Sequence, residues 1–109
     1  MSESTTLGWT ANAISDEVRS GRRTAVDAVT DSLARIREYD DDVAAFQVVR
    51  RERALAEAAD VDARADRSTL PLAGVPVAIK DNVPVAGEPM RVGSAATNDA
   101  PQPADHPVV

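Results

Sequence analysis

The residue in this chain best placed to do chemistry is Lys80. It is the single lysine among twelve basic residues, the rest being arginine. It directly follows the apolar run Leu72-Ala-Gly-Val-Pro-Val-Ala-Ile79 and precedes Asp81-Asn82. Arginine keeps its proton at any ordinary pH, whereas a desolvated lysine can release it and serve as a base. A lone lysine at the tip of a buried-looking strand therefore points to work that arginine cannot do. Two plainer readings compete with it: chance survival in an arginine-biased sequence, or a lysine paired with Asp81 at a strand edge. Gly74 allows a turn close to other backbone. The C-terminal end of a strand in an α/β sheet is also where ligands and catalytic groups gather. Shielded from water at such a place, a lysine could act as a general base.

Other reactive side chains make weaker cases. The serines are Ser2, Ser4, Ser15, Ser20, Ser32, Ser68 and Ser94, and none lies in a Gly-Gly-Ser or Gly-Ser-Ser-Gly context. Ser94 follows Gly93 in a loop, where a serine ordinarily hydrogen-bonds its own turn. Asp40-Asp41-Asp42 lacks the alternating oxygen ligands and the glycine of a calcium loop, so a helix-ending acidic turn is the expectation. His106 has no Ser, Asp or Cys partner at motif spacing and reads as a surface residue. No metal and no cofactor is expected.

Three amphipathic helices must position this lysine. Thr10 can cap a short one carrying Ile14 and Val18 on one face, with Gly21 ending it and Trp9 packing back on the first turn. Thr24 caps a second, predicted over 25–39, in which Val26, Val29, Leu33 and Ile36 recur at helical spacing. Asp27 falls in its first turn, where a negative charge suits the dipole, and the acidic run at 40–42 is expected to break it. Residues 43–49 are ambiguous between a short strand and the start of the next helix. From about 50 to 66, Ala54, Ala58, Val61 and Ala65 form the stripe of a third helix. The texture then changes. Val75-Pro-Val-Ala-Ile79 is apolar on both faces and reads as a strand covered on both sides, with Pro76 at its beginning. Residues 83–104 form a long loop punctuated by proline and glycine, and Asp105 with Pro107 looks like the cap and first turn of a further helix.

The bulk properties set bounds. A chain of 109 residues is at most one domain and near the lower limit for a comfortable core. Its aromatics are Trp9, Tyr39 and Phe46, so residues 47–109 must pack with alanine, valine and leucine alone. The formal charge of −6 argues against nucleic-acid binding by phosphate neutralisation. Without cysteine there is neither a disulfide framework nor a thiolate metal site. No secretory signal and no membrane-spanning run is visible, so a cytoplasmic protein is expected.

The segment ending in Lys80 resembles the start of the amidase signature family, enzymes that hydrolyse linear amide bonds. The family's pattern is met at Pro71, Leu72, Gly74, Val75, Pro76, Val77, Ile79, Lys80, Asp81 and Asn82. Two leading helices, Ala45-Phe46, an alanine-rich helix, Gly93-Ser94 and an Asp105-X-Pro-Val-Val ending follow in the family's order. The resemblance implies an α/β fold: N-terminal helices plus the first strands of a mixed sheet, incomplete in this chain. Residues 1–8 would be a flexible N-terminus and 9–109 the N-terminal part of the amidase domain. It further implies that Lys80 is the catalytic lysine of a Ser–cis-Ser–Lys triad acting on a small-molecule amide. Both triad serines belong to a Gly/Ser-rich segment that this chain does not reach, so 1–109 alone is expected to be inactive. It is also expected to be partly disordered or aggregation-prone, its strand lacking cover. Substrate-binding residues stay unknown and a homo-oligomer stays open. Pro89-Met-Arg-Val-Gly93 looks less like the catalytic component of a tRNA-dependent amidotransferase, which favours a free-standing amidase. That amidotransferase component, a short non-catalytic interaction module and a non-functional remnant are the alternatives.

Overall fold

The computed structural model describes residues 10–109. The flexible N-terminus expected for 1–8 and the packing expected of Trp9 lie outside the described residues. The chain divides into two compact units, which among the described residues are 10–76 and 77–109.

The first unit is built from helices α1 (Ala11–Ser20), α2 (Ala25–Val43) and α3 (Arg51–Ala63), followed by a short 3-10 turn at Arg67–Thr69. Local chemistry explains both ends of α1. The Thr10 hydroxyl accepts the Ala13 N–H at 3.1 Å. At the other end Gly21 takes a left-handed φ of 80° and donates its N–H to Val18 O, a conformation glycine enters without a Cβ clash.

The head of α2 is more elaborate than expected. Thr24 Oγ1 accepts the Asp27 N–H at 3.0 Å while Asp27 Oδ2 accepts the Thr24 N–H at 3.4 Å, a reciprocal capping box. Asp62, from α3, then accepts the two N–H groups that the box leaves over, Ala25 at 2.7 Å and Val26 at 3.1 Å. The orphan donors of the first turn are thus satisfied partly by another helix.

The acidic run does not break α2 at residue 39; the helix continues through all three aspartates to Val43. Asp40 makes this tolerable. Its two carboxylate oxygens accept the Ala45 N–H at 2.7 Å and the Phe46 N–H at 3.4 Å, just past the helix end. Ala44 closes the helix in the left-handed region, φ 55°, donating to Asp40 O. The run does end a helix, from inside it. Residues 44–50 are neither strand nor helix.

The core joins Ile14 and Val18 of α1, Ala25, Ala28, Val29 and Leu33 of α2, Ala58 of α3, and Ala73. Val26, Ala54, Leu55, Val61, Leu70 and Val75 pack at its margin. Ala65 of the predicted stripe lies beyond the end of α3 and is exposed. Arg19 ties the return segment to α1, its guanidinium donating to Leu70 O at 3.1 Å and Pro71 O at 2.9 Å and pairing with Asp16.

The strand expected over 75–79 is not formed. The described residues contain helices and no strand, so a sheet, and with it the α/β class, is not built within them. From Val75 to Lys80 the chain carries no regular structure, and Val77 is 75% exposed and Ile79 38%. The physical reason is the lack of a neighbour: a strand is held by hydrogen bonds to an adjacent strand, and none of the described residues supplies one. Pro76 also removes a donor.

In the second unit, turns replace regular elements. One isolated parallel bridge joins Ala86 and Gln102. The helix expected to start at Asp105 is not seen among the described residues, because the Asp105 carboxylate is used elsewhere. Its Oδ1 accepts the Ala86 N–H at 2.7 Å, and Val109 N–H closes a turn on His106 O.

Candidate active site around Lys80

Before the lysine, the chain makes a turn at Leu72–Val75, closed by Val75 N–H to Leu72 O at 3.1 Å. Gly74 is its third residue, with φ 72°, the position of a type II turn that demands positive φ. There is a second reason for glycine. A Cβ here would lie 2.7 Å from Val18 Cγ2 and 3.1 Å from Ala25 Cα, closer than packed carbon atoms tolerate. The motif glycine is thus a packing requirement of the helical unit, as the sequence suggested.

Lys80 opens the next turn, in which its carbonyl accepts the Val83 N–H at 3.0 Å. Its side chain is exposed, and it joins no ion pair among the described residues. The plainer reading, a Lys80–Asp81 pair, is not realised. Asp81 faces another loop: its Oδ1 accepts the Arg91 N–H at 3.0 Å, and its carbonyl accepts the Val92 N–H at 3.2 Å. Asp81 Oδ2 is buried without a hydrogen-bond partner.

The loop that Asp81 grips is a tight turn. Ser94 N–H donates to Arg91 O at 2.9 Å, and the central residues Val92 and Gly93 both have positive φ, 53° and 70°. This is the type I′ pattern, normally built from Gly, Asn or Asp. A β-branched valine there is a genuine outlier, strained by about 1–2 kcal/mol, and such strain persists only where the surroundings impose it. The Arg91 guanidinium pairs with Asp99 at 2.7 Å.

Ser94 behaves as a turn serine. Its Oγ accepts the Ala96 N–H at 3.1 Å and its carbonyl accepts the Thr97 hydroxyl at 3.0 Å. No hydrogen bond joins it to Lys80 among the described residues. His106 is exposed, with Nδ1 accepting the Val108 N–H at 3.0 Å. Within the acidic run, Asp40 is engaged at the end of α2. Sequence reasoning missed the grip of Asp81 on Arg91 and Val92. Asp81 was visible in the motif, but nothing in the pattern marks the loop ten positions later as its partner. No helix among the described residues is long and apolar enough to cross a membrane.

With this geometry in view, comparison with known proteins adds a family. The amidase family profile matches residues 27–109. The A subunit of glutamyl-tRNA(Gln) amidotransferase from Streptomyces coelicolor is 46% identical over 87 residues, covering 78% of this chain and 18% of that protein. The protein of the same name from Lachnospira eligens is 39% identical over 83 residues, 74% of this chain and 17% of its own length. A Mycobacterium tuberculosis protein assigned by name as an amidase, AmiB2, is 47% identical over 74 residues, 62% of this chain and 16% of its own. The chain therefore spans about a sixth of the length of the curated relatives it matches.

Proposed function

Because this chain belongs to the amidase family, we propose that it is the N-terminal, lysine-bearing part of an enzyme that cleaves linear amide C–N bonds, with Lys80 as its base. One observation carries the reading. The chain's single lysine stands at the end of the family motif, at the head of a turn braced by Asp81, and no ion pair occupies it among the described residues. In the reaction implied, the neutral amine takes a proton from a bridging serine, which takes the proton of a nucleophilic serine. The nucleophile's oxygen bonds to the amide carbon, the C–N bond breaks, and ammonia or an amine leaves carrying a proton. Water then releases the acid from the acyl-enzyme. Both serines come from outside these residues, so 1–109 is inactive alone.

In the same reading, 75–79 becomes a strand of a mixed α/β sheet when neighbouring strands are supplied, and 9–109 is the first part of one amidase domain. Pairing would cover Val77 and Ile79, which are exposed here. The complete protein acts in the cytoplasm on a small-molecule amide. A second reading has an observation of its own: similarity to amidotransferase A subunits favours an enzyme working within such an assembly. It weighs against the preference for a free-standing amidase drawn from 89–93.

The test is a chimera in which residues 27–109 replace the matching segment of the Streptomyces coelicolor relative, with ammonia release from small primary amides as the readout. Lys80→Ala and Lys80→Arg should each lower kcat by about 100- to 10,000-fold, the range for a lost general base. Turnover surviving Lys80→Arg would end the proposal.

A further inference from the structure

The turn that begins at Lys80 and the turn at Arg91–Ser94 are joined through a single residue. Asp81 offers one acceptor from its side chain and one from its main chain, and the adjacent N–H groups of Arg91 and Val92 close on both. This grip accompanies Val92 in the left-handed region. It acts one residue from Lys80, inside the turn that the Lys80 carbonyl closes with Val83. The direction of the Asp81 carboxylate matters as much as its contacts. An aspartate beside a lysine is a ready ion-pair partner for its ammonium, even though an exposed pair is worth little. Here one carboxylate oxygen is spent on Arg91 N–H and the other is buried, so the neighbour holds the lysine's main chain without binding its amine.

We infer that Asp81 is a positioning residue for Lys80, fixing the turn from which the lysine projects by clamping it to the Arg91–Ser94 turn; this rests on the amidase reading of Lys80. The clamp needs an acceptor at Oδ1 and does not need the charge. Asparagine should therefore replace Asp81, and alanine should not.

Two measurements test it. In the 109-residue chain labelled with nitrogen-15, Asp81→Ala should speed hydrogen exchange of the Arg91 amide about tenfold and raise fast backbone motion at Lys80. Asp81→Asn should stay near the unchanged chain in both. In the chimera, Asp81→Ala should lower kcat about 100-fold, the scale of a misplaced catalytic group, with KM little altered, and Asp81→Asn should restore most of the rate. The clamp is overturned if Lys80 motion is unchanged when Arg91 exchange accelerates. It is equally overturned if asparagine loosens the turn as much as alanine, or if Asp81→Ala leaves kcat intact. Should the unchanged chimera release no ammonia while the two turns loosen together, the amidase reading fails and the mechanical coupling stands.

Discussion

Residues 10–76 and residues 77–109 solve the same physical problem in different ways. The first unit buries a stripe from each helix and satisfies helix ends with side chains chosen for it: Thr10, the Thr24–Asp27 box, Asp62 and Asp40. The second has no regular element and spends its backbone polar groups on turns, with Asp81 and Asp105 reaching across loops to take N–H groups. None of the core side chains comes from residues 77–109. In the first unit stability comes from packing; in the second it comes from hydrogen bonds that water can replace, each worth only about 1 kcal/mol net. The family motif straddles both. Its glycine packs closely against Val18 and Ala25 of the helical unit, and its lysine belongs to the unit without a core.

Mutations that break this contrast can be ordered by size. Leu33→Ala should be the most damaging, about 3 kcal/mol, since it leaves a cavity in a core of few large side chains. Urea unfolding followed by far-ultraviolet circular dichroism would show it, and a loss below about 1 kcal/mol would mean that the helices do not rely on packing. Gly74→Ala should cost about 2–3 kcal/mol, from overlap with Val18 and Ala25 and from the positive φ. If it is tolerated, the motif glycine owes its place to something other than α1 and α2. Asp62→Ala removes an acceptor from two backbone donors and should cost about 2 kcal/mol. Its signature is faster hydrogen exchange at Ala25 and Val26 with little change at Ala13.

Val92→Asn sharpens the contrast from the other side. It relieves left-handed strain at a half-exposed position and should stabilise the Arg91–Ser94 turn by about 1 kcal/mol. Hydrogen exchange at Ser94 should slow while the helical melt stays where it was. A shifted melt would show that the two regions unfold as one.

The smallest effect concerns Arg64 and Asp66, paired at 2.7 and 2.8 Å on the surface. The hydrogen bond from Arg64 is the main reason the Asp66 carboxyl is held below its ordinary range, and the same bond raises Arg64. A carboxyl depressed in the folded state adds stability above its unfolded value and loses it as pH falls through the folded one. Asp66→Asn should therefore leave acid unfolding almost unmoved, slightly flattening only the lowest part of the pH profile. A large change there would mean that the exposed pair matters more than its setting allows.

What could be read in advance divides along the same line. Thr10, Gly21, Thr24 and Gly74 were legible because a cap or turn is decided within three or four residues, where side-chain type and spacing suffice. The extent of α2 was misjudged because an aspartate run near a helix end opposes the dipole; the compensating bonds from Asp40 to Ala45 and Phe46 follow from geometry that residue type does not reveal. Val75–Ile79 has strand composition, but a strand exists through its neighbours.

By itself, then, the sequence determined three helices, the N-caps of the first two, the glycine turn and the family to which the lysine motif belongs. Each is an interaction between residues close in the chain, or a pattern dense enough to be recognised. Tertiary structure alone decided that Asp62 would cap a helix 37 positions away, that Arg19 would hold a carbonyl 51 positions on, and that Asp81 would turn from Lys80 to Arg91. Those pairings depend on which surfaces meet once the apolar stripes are buried, and no spacing rule carries that information.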